Sequence, residues 1–268
     1  MRPITLEYHD VLDVGDFDQS GFPGGAANSY KMSRADFEAH LDVLRGRPEA
    51  GVDVRLTDAA RTPVFITFDD GGASALGVSA PALEARGLMG HFFMTTSQLG
   101  APTFCDGDAL RELVRRGHVV GSHSHTHPVR MAVLTDAELD QEWHTSYQLL
   151  SDLLGAPATV ASVPGGYYSA RVGRAAARAG IRYLFTSEPV TSVAREAECL
   201  VLGRYTLRRT SPASEVASLV SRAGFARHRQ WAVWNAKKAV KAVAGETYLR
   251  VRASILGDTS PAPPSTPR

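Results

Sequence analysis

Short apolar runs alternate with amphipathic segments along most of the chain, which is the pattern of repeated strand-then-helix units. The apolar runs predict strands at residues 4–8, 64–68, 91–95, 118–120, 159–163, 181–185 and 200–207. The amphipathic segments predict helices at residues 33–44, 79–86, 108–116, 135–154 and 170–179, and from residue 214. About seven such units favour an α/β fold with a parallel barrel over an open sheet, which stays the alternative. In a parallel barrel the chemistry belongs at the carboxyl ends of the strands.

The chain is predicted to form one domain with a helical extension and a disordered tail. Its 268 residues suit a single barrel domain over 1–256, in which 227–256 form a C-terminal helical extension. Residues 257–268 are rich in Pro, Ser and Thr and are expected to be disordered. On a helical wheel, Ala and Val occupy the side of the extension that is expected to pack on the barrel. The opposite side carries Trp231, Trp234, Lys237, Lys238 and Lys241.

Composition and charge limit the classes of partner. The net charge is +1 and the one small basic patch does not continue into a stripe, so no nucleic-acid partner is expected. The N-terminal segment lacks the apolar core of a signal peptide, and no run reaches about 18 apolar residues, so a cytoplasmic location is expected. The Trp231/Lys238 face would suit peripheral contact with the inner membrane surface, with an ordinary solvated face as the alternative. The oligomeric state is not predicted.

Two polar segments at the ends of predicted strands carry the candidate chemistry. In the first, Asp69 and Asp70 follow a buried run, and paired carboxylates repel each other unless a cation lies beside them. In the second, His123 and His127 are four positions apart, which brings both imidazoles to one side of a turn, whereas His125 is expected to point away. With Asp70 they form a two-His, one-carboxylate set that suits zinc or another first-row metal. The alternatives are a solvated turn and an exposed histidine loop.

At these positions the chain resembles a known family. The segments Thr67-Phe-Asp-Asp-Gly71 and His123-Ser-x-x-His127 resemble the first two motifs of the polysaccharide deacetylase (NodB-homology) family, and Val163-Pro-Gly-Gly166 resembles the third. The resemblance covers roughly residues 1–210 and implies a distorted (β/α) barrel with about seven parallel strands. It also implies one divalent metal, zinc or else cobalt, nickel, manganese or iron, on Asp70, His123 and His127.

The resemblance further implies the roles of the remaining site residues. Asp69 would be the general base that activates metal-bound water against an acetamide, and a backbone N–H of Gly165 would stabilise the oxyanion. Substrate binding is expected from Pro164, Gly166 and Tyr167.

Three family features are missing from the sequence. Ser162 stands where the third motif usually has an arginine, and neither the later tryptophan-linked acidic motif nor the Leu-x-His motif of the general acid is present. His9 closes the first predicted strand and is a candidate general acid, with a structural hydrogen bond as the alternative. Arg204 is a candidate for substrate binding or for the lost arginine, with a surface ion pair as the alternative. The Tyr-His-Asp segment at residues 8–10 is similar to the exopolysaccharide-type subgroup.

The leading hypothesis is therefore hydrolytic N-deacetylation of a hexosamine-containing polysaccharide or its precursor, with an N-acetylated saccharide as the partner. One alternative keeps the chemistry on a small non-sugar amide. Another is a non-catalytic, metal-dependent glycan-binding protein. Acetate release from N-acetylated oligosaccharides distinguishes the first from both others.

Overall fold

The computed structural model describes residues 2–13, 15–56, 62–221, 223–236 and 238. The described strands, in chain order, are β1 (Ile4–Tyr8), β2 (Val11–Leu12), β3 (Met32–Ser33), β4 (Val64–Phe68), β5 (His91–Met94), β6 (Val119–Ser122), β7 (Val160–Ser162), β8 (Tyr183–Phe185), β9 (Val193–Glu196), β10 (Cys199–Leu202) and β11 (Tyr205–Thr206). The α-helices are α1 (Gly25–Asn28), α2 (Arg34–Leu44), α3 (Ala80–Glu84), α4 (Gly107–Arg115), α5 (Asp136–Leu154), α6 (Ala170–Ala179) and α7 (Ala213–Val220). A π-helical turn at Ala75–Ser79 leads into α3, and residues 225–236 are also helical.

Nine of these strands form one curled sheet in the order β11-β1-β4-β5-β6-β7-β8-β10-β9. All neighbouring pairs run parallel except β10 and β9, and β2 pairs with β3 in a separate small sheet. Among the described residues, the hydrogen-bond ladder does not close between β11 and β9, so the sheet is a half-barrel. The predicted α/β fold with a distorted parallel barrel is confirmed.

Burial on both faces of the sheet explains why its strands read as continuous apolar runs. All five residues of β4 and of β1 are buried, as expected where helices cover one face and barrel packing covers the other. The helix starts follow the local signals: the Ser33 side chain accepts the N–H of Asp36, and Thr135 forms a capping box with Glu138. The carboxyl ends of the parallel strands therefore meet at one edge of the sheet.

The end of the sheet differs from the prediction. The last predicted strand is divided into β10 and β11 at Gly203 and Arg204, because the backbone carbonyl of Glu188 approaches Gly203 so closely that an added Cβ would lie 2.3 Å from it. The antiparallel strand β9 was not predicted, because its side chains are partly or fully exposed and carry no apolar run.

The helix at residues 225–236 packs with a different face from the predicted one. Val233 is 47% exposed, whereas Trp234 is half-buried and its ring would lie 3.2 Å from a Cβ added to Gly166. Lys238 contacts Glu188 at 3.2 Å, and Trp231 is 53% exposed. The expectation that the Ala/Val side packs on the barrel is wrong, because the larger indole of Trp234 takes that place.

Several predictions fall on residues outside the described ones. Lys237, Lys241, most of the 227–256 extension and the 257–268 tail are among them, so the single-domain boundary stays a prediction. No helix within the described ranges is long and apolar enough to cross a membrane.

Candidate active site

The two carboxylates lie where β4 ends and turns. The N–H of Asp69 still bonds to the carbonyl of Tyr8 in the neighbouring strand, at 3.1 Å. Asp70 and Gly71 then take left-handed backbone angles, with φ of 74° and 86°. A Cβ at Gly71 would lie 2.8 Å from the sulfur of Met94, so the turn has no room for a side chain there. This turn lets both carboxylates face the carboxyl edge of the sheet, although they are neighbours in sequence.

Asp70, His123 and His127 form a group whose ligand atoms all lie within 4.8 Å of one another. The Nε2 atoms of His123 and His127 are 3.6 and 3.4 Å from Oδ1 of Asp70. Tetrahedral zinc with ligands at about 2.0–2.1 Å separates its ligand atoms by about 3.3–3.4 Å. The spacing and the chemistry of these three side chains therefore fit one divalent metal.

Asp69 is held by the buried guanidinium of Arg204. Arg204 Nη1 and Nη2 each donate to one oxygen of Asp69 at 2.7 Å, which is the bidentate arrangement of a strong ion pair. Arg204 Nη2 also lies 2.8 Å from Glu7. Arg204 is fully buried, so the alternative of a surface ion pair is wrong. Its Nη atoms contact Asp69 and Glu7, and its Nε donates to the carbonyl of Thr186 at 3.2 Å, so the expectation that it binds substrate is wrong. Arg204 instead fits the other expectation, that it replaces the lost arginine, because it positions Asp69.

Ser162 connects the two halves of the site. Its hydroxyl donates to Asp69 Oδ1 at 2.9 Å, and its Oγ lies 2.6 Å from Nδ1 of His123. Because the single hydroxyl proton goes to Asp69, the Oγ must accept from Nδ1–H of His123. That tautomer leaves Nε2 of His123 with a free lone pair, as a metal ligand requires. The residue at the place of the missing arginine thus contacts both His123, a candidate metal ligand, and Asp69, the candidate base.

Electrostatics separate the roles of the four titratable groups. Burial raises the pKa of Asp69, but Arg204 and His123 lower it more, and the resulting pKa lies well below its usual range. Burial likewise raises the pKa of Asp70, while the hydrogen bond with His127 lowers it, to about 2. Burial lowers the pKa of His123 to about 4, whereas the hydrogen bond to Asp70 outweighs burial and raises that of His127. At neutral pH both carboxylates are therefore ionised and His123 is neutral.

Glu142 on α5 holds the loop that carries the two candidate histidine ligands. Its carboxylate accepts the backbone N–H groups of His125 and Thr126 at 2.9 and 2.8 Å, and the Thr126 hydroxyl at 2.5 Å. His125 itself turns away and lies 2.9 Å from Oγ1 of Thr96. His127 has a left-handed φ of 59°, which aims its ring back toward Asp70. Glu142 was not predicted, since an acidic residue inside a long helix gives no local signal.

His9 lies at the same edge as the two carboxylates. It follows β1, its ring centroid is 4.9 Å from that of Tyr30, and it contributes to lowering the pKa of both Asp69 and Asp70. Its Nδ1 is buried and has no hydrogen-bond partner among the described residues. The structural hydrogen bond considered for His9 is thus not made by Nδ1.

The third motif forms a tight turn shortly after β7, the strand that ends in Ser162. Gly165 and Gly166 have φ of 66° and 68°, and a Cβ on Gly165 would lie 2.4 Å from the carbonyl oxygen of Val129. Tyr167 is half-buried, and the Arg130 guanidinium lies 5.4 Å from its ring centroid. Pro164 begins the turn and is buried. The predicted site residues that follow β1, β4, β6 and β7 thus lie at the carboxyl edge of the sheet.

Comparison with known proteins bears on this site. Residues 57–184 match the sequence model of the family described as polysaccharide deacetylase. Residues 57–184 carry the sequence of a polysaccharide deacetylase domain. The predicted family is confirmed for this part of the chain, which contains Asp69, Asp70, Ser162, His123 and His127 but not Arg204.

A curated relative is similar over part of the chain. It is an uncharacterised 30.6 kDa protein of Geobacillus stearothermophilus, 26% identical over 134 residues. The alignment covers 49% of each protein, so the chain spans about half the length of the relative that it matches.

Two solved structures share the fold of this deacetylase domain. A polysaccharide deacetylase from Bacillus cereus is 20% identical, with a TM-score of 0.70 over 82% of this chain and 69% of that one. IcaB from Ammonifex degensii is also 20% identical, with a TM-score of 0.61 over 86% of this chain and 96% of that one. At this identity the likeness shows the half-barrel fold alone.

Proposed function

We propose that this protein is a metal-dependent hydrolase that removes the acetyl group from an N-acetylhexosamine in a saccharide. The observation that carries the proposal is the buried, ionised Asp69 held 3.8 Å from His123, within a site whose other groups fit a divalent metal. The family match supports the reaction class, and the exopolysaccharide-type subgroup stays part of the proposal.

In this proposal the metal is held by Asp70, His123 and His127, whose donor atoms lie close enough together to share one ion. A divalent cation bound there supplies a Lewis acid that polarises the amide carbonyl and lowers the pKa of water. Ser162 keeps Nε2 of His123 unprotonated, and Glu142 holds the loop that presents His127.

Asp69 is the proposed general base. Arg204 keeps its carboxylate ionised and fixed, so it can accept a proton from the attacking water as the water oxygen adds to the amide carbon. The carbon–nitrogen bond then breaks, the nitrogen takes up a proton, and acetate and a free amine result. His9 is the proposed donor of that proton, because it lies beside both carboxylates with an unpaired Nδ1.

The remaining assignments are also proposals. The N–H of Gly165 would stabilise the oxyanion, and Pro164, Gly166 and Tyr167 would line the substrate site, since their turn lies at the same edge of the sheet as Ser162. Zinc is the expected metal. The cytoplasmic location and membrane contact through Trp231 and Lys238 stay predictions.

Acetate release tests the proposal. Zinc- or cobalt-loaded wild type is assayed on a panel of N-acetylhexosamine oligosaccharides beside Asp69→Asn and, as a matched control, Asp108→Asn on the exposed face of α4. We expect acetate from the wild type and Asp108→Asn, and at least about a 100-fold loss in Asp69→Asn with one metal still bound. Full activity in Asp69→Asn would remove it as the base.

The same assay separates the alternatives. Absence of acetate on every saccharide, with one metal bound and glycan binding intact, would favour the non-catalytic binding protein. Acetate released only from small non-sugar amides would favour the amidase.

A further inference from the structure

Two consecutive arginines lie at the rim of the site on aromatic rings. The Arg208 guanidinium is 4.5 Å from the ring centroid of Tyr30 and donates to its hydroxyl at 3.1 Å. The Arg209 guanidinium is 3.7 Å from the ring centroid of Phe17. Both arginines are exposed. The contact with the ring holds each guanidinium in place, while the N–H groups of Arg209 and the remaining N–H groups of Arg208 stay available to a ligand.

The strand register places this pair of arginines at the carboxyl edge of the sheet, beside the site. In the parallel ladder of β1 and β11, Glu7 stands opposite Thr206, so two positions further His9 and Arg208 leave the sheet side by side. Tyr30 fills the space between them, because its ring is packed on His9 at 4.9 Å and on Arg208. The Arg208 guanidinium therefore lies within the length of one phosphorylated hexose of His9.

Arg209 is connected to the site through the loop before β3. Its N–H bonds to the carbonyl of Ser29, and the buried Lys31 ammonium binds the carbonyls of Phe17 and Phe22 at 2.7 Å each. The ring of Phe22 lies 4.9 Å from that of His127, a proposed metal ligand. The loop that supports Arg209 thus also borders the proposed metal site.

Neither arginine has a carboxylate within 4 Å among the described residues. This differs from arginines elsewhere on the surface, such as Arg116 and Arg178, which contact carboxylates at 2.6 Å. Asp18 is close in sequence to Phe17, but its Oδ1 accepts the N–H of Gly24 and the side chain of Asn28. Two adjacent positive charges without a counter-ion at the rim of a polar site suit a dianionic group.

We propose that Arg208 and Arg209 bind the phosphate of a phosphorylated N-acetylhexosamine and present its acetamide to the site. This inference rests on the proposed deacetylase function and narrows its substrate class. A guanidinium group matches two phosphate oxygens bidentately. The two positive charges of Arg208 and Arg209 are balanced by a phosphate dianion, whereas a single carboxylate would balance only one of them.

The test compares substrates that share one sugar. Zinc-loaded wild type and the double variant Arg208→Gln/Arg209→Gln are assayed for acetate release from N-acetylglucosamine 1-phosphate, its nucleotide-linked form and the neutral methyl glycoside. Arg45→Gln is the matched control, an exposed arginine at the end of α2 by the opposite edge of the sheet. We expect wild type and control to prefer phosphorylated sugars by about 10- to 100-fold in kcat/KM, and the double variant to lose most of that preference.

The substrate arms identify the source of the phosphate. A preference confined to the sugar 1-phosphate indicates a free sugar phosphate, and one shared with the nucleotide form indicates a diphosphate-linked sugar; both support the proposal. A further substrate, a glucuronate-containing N-acetyl disaccharide, carries a carboxylate in place of the phosphate. An equal preference for this disaccharide would overturn the assignment to phosphate. Acetate release without any preference for phosphorylated sugars would overturn the inference and leave the proposed function intact.

Calorimetric binding of N-acetylglucosamine 1-phosphate to the zinc-loaded proteins gives a readout without turnover. An affinity about 10-fold weaker in the double variant supports the inference. An unchanged affinity overturns it, because the phosphate then binds elsewhere, such as on the metal. Weaker binding in a protein that releases no acetate from any substrate would keep the phosphate site and reject the proposed function.

Discussion

Replacing Arg204 with methionine should destabilise the fold and raise the pKa of Asp69, the proposed general base. The substitution leaves two buried carboxylates, Asp69 and Glu7, without their guanidinium partner. Removing one member of a buried ion pair costs about 3–5 kcal/mol of unfolding free energy. For a chain of this size each kcal/mol corresponds to about 2–4 °C in Tm, so the expected loss is about 6–20 °C. Arg204→Lys keeps the charge without the bidentate fork and should lose less.

The pH dependence of this effect follows from the pKa of Asp69. In the wild type Arg204 keeps that pKa below the unfolded value of about 3.9, so the ionised carboxylate stabilises the fold above about pH 4 and this contribution is lost as the pH falls toward the lowered pKa. Without Arg204, burial raises the pKa. The difference in unfolding free energy between wild type and variant should therefore be largest at neutral pH and shrink in acid.

The pH dependence of the activity should show the same change in the pKa of Asp69. Because the base must be ionised, the acid limb of the kcat/KM–pH profile should move to higher pH in Arg204→Met and less in Arg204→Lys. The assays are thermal unfolding from pH 4 to 8 and acetate release over the same range, with Arg195→Met on β9 as the control. A decrease in Tm of less than about 3 °C, together with an unchanged acid limb, would refute the role given to Arg204.

Three smaller changes test the remaining supports of the site. Ser162→Ala removes the hydroxyl that accepts from Nδ1 of His123 and leaves only the backbone carbonyl of residue 162 at 3.2 Å, so it should weaken zinc binding about 10- to 100-fold in a chelator competition, whereas unchanged affinity would contradict the role of the hydroxyl. Glu142→Gln removes a charged acceptor from the histidine loop and should cost about 1–3 kcal/mol in urea unfolding, with equal stability counting against it. Gly165→Ala meets the carbonyl of Val129 at 2.4 Å and a left-handed φ, so it should lose at least about 1–2 kcal/mol; a stability equal to wild type would show that the turn can relax.

Much of this fold can be predicted from local patterns in the sequence. The alternating apolar runs predict the parallel strands, and the capping residues Ser33 and Thr135 predict where helices begin. The proposed metal ligands were also found from sequence, because Asp70, His123 and His127 each follow a strand and carry a recognisable spacing.

The parts that were missed or left open depend on contacts between distant positions. Arg204 was named as a candidate for the lost arginine, but only the curled sheet, which brings it onto Asp69, decides between that role and a surface ion pair. Glu142 gives no signal until α5 packs under the histidine loop. The orientation of Trp234 depends on the space beside Gly166, and a helical wheel does not show contacts with residues outside the helix.

The partnership of Asp69 and Arg204 also bears on how the protein is made. The two residues lie 135 positions apart, so at about 5–20 residues per second the ribosome delivers the arginine about 7–27 s after the aspartate. During that interval β4 can pair with β1, while the carboxylate still lacks its counter-charge. The nascent chain should therefore remain incompletely folded around the base until the β10–β11 segment emerges, and truncation before Arg204 should produce an aggregation-prone protein.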